Sequence, residues 1–390
     1  MKIQQIQIVG VGGIQNLDLN FHNQMNIICG PNGIGKTTAL ESIAHLFSYG
    51  ETSILKRNVK AENSLIKIYI QNDTGSLQNH SASFSAFTPE KRTTIQGLHQ
   101  FSNKLISLKT TRLFGYQPLQ SITKDSKKEQ SQLFNDAKSG ISFTDVKNWF
   151  VNRYLYSAHP GALTTEQMNN FVFAKTCFSF LNKDFAFSRV DASSNEIMVN
   201  TPSGEIYYEY LSSGFKSILS ILFGIIKEIE YRFTEPKLQA KDFNGIILID
   251  ELELHLHPEW QGKIISILKK AFPLAQFITT THSPHVIQAA DPNEIIALGF
   301  KDNHVIQREL PQTEYGFKGW TVEEVLSDVM GMGNTRTEEF NNLIVRFENS
   351  IDSNDYLNAR LSFDELNLML HPHNHLRKLL SFQLAGIKGE

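Results

Sequence analysis

Apolar and polar positions alternate at the start of the chain. The runs KIQQIQIVG and LDLNF read as two half-buried strands, with Gly12 and Gly13 turning between them. MNIIC, at 25–29, is apolar almost throughout and reads as a buried strand. The period then changes, and TTALESIAHLF spaces its apolar residues as a helix does. Residues 48–128 are polar and mixed, with strand-like pieces LIKIYI and KLISLKTTRLF. Residues 129–185 read as helical. Their aromatics Phe143, Trp149, Phe150, Tyr154 and Tyr156 are mostly core candidates, and no sustained heptads suggest a long coiled-coil arm.

From 211 to 310 helices and strands alternate. SSGFKSILSILFGIIKEIEYRF predicts a helix, GIILID a buried strand, PEWQGKIISILKKAF a second helix, and AQFITTT, EIIAL and HVIQREL further strands. That order predicts a parallel-type sheet with crossover helices. Beyond about residue 318 the pattern is polar and helical, without a second strand-rich core.

Composition narrows the class. Hydrophobic residues make up 41% and charged residues 20%, as in soluble globular chains. The formal net charge of -3 supplies no global basic field for nucleic acid. Between Pro89 and Lys128, however, eight Lys and Arg face two acids. This stretch is either a solvated surface lobe or a phosphate-binding face. Cys29 and Cys177 are the only cysteines, which points to a reducing compartment. The start MKIQQIQIVGVGG has no signal-peptide pattern, and the longest apolar run, Ile218–Ile226, is far short of a membrane span. A cytoplasmic location without a membrane anchor is expected.

Four short segments carry candidate chemistry. Gly30–Thr37 matches GxxxxGK[ST]. Its glycines let backbone N–H groups curl around phosphate at a helix start. Asn32, Gly33, Gly35, Lys36, Thr37 and Thr38 are the candidate nucleotide contacts, with Lys36 reaching the β and γ phosphates and the Thr37 hydroxyl binding Mg²⁺. In IILIDE, a buried strand delivers Asp250 as a candidate metal ligand and Glu251 as the group that polarises attacking water. His282, in TTTHSP, ends the next strand and is a candidate bridge between phosphate and water. In LSSGFKS, Ser212 and Gly214 sit at a helix start, either as an ordinary N-cap or as an anion site.

In that order the four segments resemble the ABC-type ATPase heads of the SMC, RecF and OLD group. GPNGIGKT resembles the Walker A loop, LSSGFKS the signature, IILIDE Walker B and THSP the switch histidine. ELHLHPEW, with Glu253, His255 and His257, is similar to the D-loop region of the OLD-like branch. The resemblance implies an α/β ABC-ATPase head, a mixed sheet flanked by helices, with a helical insertion lobe and a helical C-terminal tail. It implies ATP and Mg²⁺ as cofactors, and ATP sandwiched between two copies, with Ser212 and Gly214 of one copy closing on the nucleotide held by Lys36 of the other. The signature carries Ser213 and Phe215 where transporters carry Gly and Gln, which argues against a transporter ATPase. The glutamine loop is best placed at Gln117, with Gln71 the alternative.

The expected organisation is an ATPase core at 1–47 and 205–310, an insertion lobe at 48–204 and a helical partner-binding region at 311–390. No Toprim-like Glu…Asp-x-Asp set follows His282. His371, His373 and His375 in HPHNH lack a neighbouring Cys or acid cluster, so a metal site is not expected there. An ATPase without its own nuclease resembles the ATPase subunit of Septu-type and retron-associated antiphage systems, to which YGFKGWTVEEVLSDVMGM is also similar. That likeness implies a separate HNH nuclease as partner, with DNA or a retron RNA/DNA element as further candidates. The alternatives are a RecF-like DNA-binding clamp and a nucleotide sensor that barely turns over.

Overall fold

The computed structural model describes residues 1–112, 116, 118–311 and 314–387. Gln117 lies outside them. The chain divides into two compact units, Met1–Gly331 and Met332–Glu390.

In the first unit, β1 (Lys2–Val11) and β2 (Ile14–Asn20) form the expected hairpin. β3 (Met25–Cys29) follows, buried along its whole length, and leads through the glycine-rich loop into α1 (Lys36–Leu46). The insertion opens with β4 (Glu51–Thr52), β5 (Ser64–Gln71), β6 (Leu77–Phe84), β7 (Thr93–Thr94) and β8 (Leu105–Leu108). It continues with α2 (Gln130–Ser139), α3 (Val146–Ser157) and α4 (Thr165–Leu181), and then β9 (Ala186–Val190), β10 (Ile197–Thr201) and β11 (Gly204–Tyr207). After α5 (Ser213–Arg232) come β12 (Ile246–Ile249), α6 (Pro258–Gln261), α7 (Ile264–Ala271), β13 (Gln276–Thr280), α8 (Pro284–Ala289), β14 (Ile295–Lys301), β15 (His304–Gln307) and the short α9 (Val322–Glu324).

The main sheet has the order β15-β14-β3-β13-β12-β8. β14, β3, β13, β12 and β8 run parallel, and β15 is antiparallel at the edge. Both faces are covered, which explains the continuous apolar runs. Ile27, Ile247, Ile249 and Phe277 face the core built with α3, α4, α5 and α7. Their neighbours Ile28, Ile246, Leu248 and Ile278 face the other core, built with α1 and the antiparallel sheet β2-β1-β5-β6. The insertion therefore adds strands to two sheets as well as helices. A separate three-stranded sheet, β11-β10-β9, packs Val190, Ile197 and Val199 into the first core.

The helix expected at 258–272 is broken into α6 and α7, because Gly262 and Lys263 interrupt the regular hydrogen bonding. The break seats Trp260 against Phe215, with ring centroids 5.7 Å apart. Among the described residues, no helix is long and apolar enough to cross a membrane.

The second unit contains α10 (Glu338–Asp352), α11 (Tyr356–Met369) and α12 (Leu376–Gly386), around a small core of Phe340, Leu343, Phe347, Ala359, Leu366, Leu370, Leu380 and Leu384. In the HPHNH turn the His373 N–H donates to His371 Nδ1 at 3.2 Å. No cluster of metal-ligating side chains occurs among the described residues.

Candidate functional site

Parallel strands end at the same edge of a sheet, so the strand order decides which loops meet. Here β3, β13 and β12 are neighbours, with β8 beside β12. Their ends bring together the Gly30–Lys36 loop, Thr280–His282, Asp250–Glu251 and the segment carrying Arg112.

The loop after β3 depends on glycine at two points. Gly30 has φ 144°, and a Cβ there would sit 2.6 Å from the Leu298 carbonyl oxygen. Gly35 caps α1 with φ 103°, and a Cβ would meet Ile14 Cγ1 at 2.9 Å. These are left-handed conformations that side chains resist. No side chain caps the start of α1, so its first N–H groups are suited to an anion. Lys36 is buried, and its ammonium donates to the carbonyls of Gly30 at 2.9 Å and Pro31 at 3.0 Å. Burial lowers its pKa from the ordinary lysine value, opposed by Cys29, Glu253, Asp250 and Glu251. Asn32, Gly33 and Thr37 are exposed at the loop, and Thr38 is half-buried.

The Thr37 hydroxyl donates to both oxygens of Asp250, at 3.2 Å each. Asp250 Oδ1 also accepts from Thr280 Oγ1 at 2.6 Å, and the same Thr280 oxygen accepts the Glu251 N–H at 2.7 Å. One threonine thus sets both acids. Glu251 has φ 49°, so its backbone turns sharply where the strand ends. The Arg112 guanidinium closes this turn from behind. It donates to the Asp250 carbonyl at 2.7 Å, to the Lys109 carbonyl at 3.1 Å and to the Glu251 carbonyl. Burial pushes its pKa down to about 10, opposed by the nearby carboxylates of Glu253, Asp250 and Glu251.

The His282 side chain is exposed. Its backbone N–H donates to Glu253 Oε1 at 2.6 Å, and the Thr281 hydroxyl donates to Glu253 Oε2 at 2.6 Å. The structure therefore places Lys36, Thr37, Asp250, Glu251 and His282 on adjoining strand ends. The signature residues stand elsewhere. Ser212 is the exposed N-cap of α5 and accepts the Phe215 N–H at 3.3 Å. Gly214 is buried, and a Cβ there would meet Trp260 Cδ1 at 2.8 Å. Gln71, the alternative glutamine, accepts from Gln4 at 3.3 Å and donates to Gly75 in the antiparallel sheet.

No site role was read for Thr280, Arg112, Glu253 or Trp260, although Thr280 lies in TTTHSP and Glu253 and Trp260 lie in ELHLHPEW. Each acts on a residue far along the chain. The basic residues between Pro89 and Lys128 divide: Lys91, Lys124 and Lys127 are exposed, and others are paired or buried. Arg92 pairs with Glu51 at 3.5 Å, Lys104 with Asp73 at 3.4 Å, Lys109 with Glu41 at 2.7 Å and Lys128 with Asp136 at 2.6 Å, while Arg112 is buried.

Residues 25–288 match the family described as "AAA domain, putative AbiEii toxin, Type IV TA system". The chain is 45% identical over 388 residues to the Septu protein PtuA of Bacillus thuringiensis, covering 99% of this chain and 98% of that protein. It is 32% identical over 160 residues to a "Retron Ec83 probable ATPase" of Escherichia coli, covering 38% of this chain and 29% of that one. Among solved structures, an SMC head bound to the C-winged helix domain of ScpA shares 15% identity, with a TM-score of 0.46, covering 78% of this chain and 96% of that one.

Proposed function

Since the chain belongs to the family of the Septu protein PtuA, an AAA-type ATPase family of antiphage defence, we propose that it binds and hydrolyses ATP between two copies of itself and thereby controls a separate nuclease. The carrying observation is the Thr37–Asp250–Thr280–Glu251 cluster beside the Lys36 loop. A loop built from backbone N–H groups, a buried lysine and a helix start suits a triphosphate. The Thr37 hydroxyl and the Asp250 carboxylate are hard oxygen donors facing one another, which fits Mg²⁺. When bound, that ion supplies charge neutralisation on the phosphates.

The chain's own residues divide the remaining work. Lys36 offers its ammonium to the β and γ phosphates. Glu251, held by Arg112 and Thr280, polarises the attacking water. His282 stands one strand away, with an exposed ring that can contact the γ-phosphate side. Ser212, at the uncovered start of α5, meets the nucleotide of the second copy. Gly214 supports this start by letting Trp260 pack against it.

The partner proposed is a separately encoded HNH-type nuclease, as the likeness to Septu-type ATPase subunits implies. Co-purification from the native host, followed by DNA cleavage with and without ATP, tests this. Nucleotide-dependent cleavage by the complex is expected, and it is lost with Lys36→Ala. Identical cleavage with and without ATP overturns the regulatory reading. Phosphate release by the wild-type chain but not by Glu251→Gln tests hydrolysis, and a chain that binds ATP without turnover would be a sensor instead. Duplex binding by the wild-type chain that weakens steeply with salt would instead favour a RecF-like DNA clamp.

A further inference from the structure

The geometry points to Glu253 as a positioning residue that aims His282, an inference resting on the hydrolytic reading above. His282 lies two residues past the end of β13, where regular sheet pairing has ended. The residue is exposed, and among the described residues no hydrogen bond reaches the ring. The backbone therefore sets where the imidazole is attached and which rotamers reach the site.

Three bonds hold the residues on either side of that position, and a fourth braces Gln261. The Thr281 N–H donates to the Ile28 carbonyl at 3.1 Å, which ties it to the strand that leads into the Lys36 loop. Ser283 Oγ donates to Gln261 Oε1 at 2.6 Å, and Gln261 Nε2 donates to the Leu256 carbonyl at 2.8 Å. The Ser283 N–H donates to Thr281 Oγ1 at 3.0 Å. Between these anchors the His282 N–H goes to Glu253 Oε1. The second oxygen of the same carboxylate holds the Thr281 hydroxyl. Charge-assisted bonds of this type are short and strong, and both measure 2.6 Å.

Glu253 is itself fixed in register with Glu251. The Leu252 N–H between them donates to the Thr280 carbonyl at 2.9 Å, continuing the β12–β13 pairing past the strand ends. The Glu251 turn and the His282 turn are thus pinned to one another by Thr280 on one side and Glu253 on the other. A displacement of about 1 Å in a positioned group can cost on the order of a hundredfold in rate.

The test uses the full chain with Glu253→Ala, Glu253→Gln, His282→Ala and the Glu253→Ala/His282→Ala double variant. Hydrogen exchange of the 280–285 segment is expected to quicken about tenfold in Glu253→Ala. It stays near wild type in Glu253→Gln, whose amide oxygen still accepts the His282 N–H while its NH₂ reaches the Thr281 oxygen. Turnover in Glu253→Ala falls about ten- to a hundredfold, with ATP affinity within about threefold, and Glu253→Gln recovers most of it. The double variant is no slower than His282→Ala, because both changes disable one unit. Wild-type exchange in Glu253→Ala, or a double loss equal to the product of the single losses, overturns the inference. If the wild-type chain shows no turnover above Lys36→Ala, the hydrolytic reading fails, and the exchange measurement still decides the role of Glu253.

Discussion

Thr280 Oγ1 lies 2.6 Å from Asp250 Oδ1 and donates to it, while accepting the Glu251 N–H at 2.7 Å. A single buried hydroxyl on β13 therefore aligns both acids at the end of β12. Thr280→Val keeps the shape and removes the hydroxyl, leaving a backbone N–H without its acceptor. Such a loss costs about 1–3 kcal/mol, and each ~1.4 kcal/mol is tenfold in rate. Phosphate release is expected to fall about tenfold or more, with nucleotide affinity changed less. Thr280→Ser should stay close to wild type, and a Val variant of unchanged rate would remove Thr280 from the site.

Arg112 plays the matching part from the segment after β8. Its guanidinium gathers the carbonyls of Lys109, Asp250 and Glu251 in a buried place. Arg112→Met removes a donor from all three, the Glu251 carbonyl keeping only the Leu254 N–H at 3.0 Å, and is expected to destabilise the chain by about 2–4 kcal/mol. Arg112→Lys, a single point charge, cannot span all three carbonyls and should fall between. Urea midpoints at unchanged slope measure both.

The contact between Gly214 and Trp260 gives the signature glycine a packing reason. Gly214→Ala drives a methyl into the indole, with 2.8 Å between Cβ and Cδ1. Overpacking of this kind costs about 1–3 kcal/mol. Thermal melting should fall in Gly214→Ala and recover in part in Gly214→Ala/Trp260→Leu. Additive losses in the double variant would show that the two residues do not act on one another.

At the far end of α5 a buried ionic network predicts a pH effect. Burial alone would raise the Glu228 pKa, but Lys227, Arg232 and Lys128 hold it down to about 2, against an ordinary 4.5. A depressed carboxylate stabilises the fold above its unfolded pKa, and that stability is lost as pH falls from about 4.5 towards 2. Glu228→Gln leaves Arg232 and Lys227 with a missing counter-charge and is expected to cost about 3–5 kcal/mol at pH 7. The gap between wild type and Glu228→Gln should narrow below about pH 4.5. Nearby Glu230 is raised by burial, and comparison with the variant cancels its opposite trend; Asp136 is raised by burial and by Glu228 itself, so it ionises more readily in the variant. A gap constant from pH 7 to 3 would show that Glu228 is not held ionised.

What the sequence determined by itself is local. The glycines around Lys36 are legible because a phosphate loop needs left-handed backbone at fixed offsets. IILI is legible as a strand covered on both faces because every position is apolar, and its acids follow at once. The order of αβ units predicts parallel strands. None of these signals says which strands are neighbours. The tertiary structure decided that β13 lies between β3 and β12, and with it that Thr280 would reach Asp250, and Glu253 would reach His282. Arg112 acts on carbonyls about 140 residues away along the chain, and backbone carbonyls leave no mark in the side-chain pattern. Gly214 is similar: its neighbour Trp260 is brought near by the break between α6 and α7, which the helical period of PEWQGKIISILKKAF concealed. Residue chemistry could be read in advance because it belongs to each side chain; its alignment could not, because it belongs to the strand order.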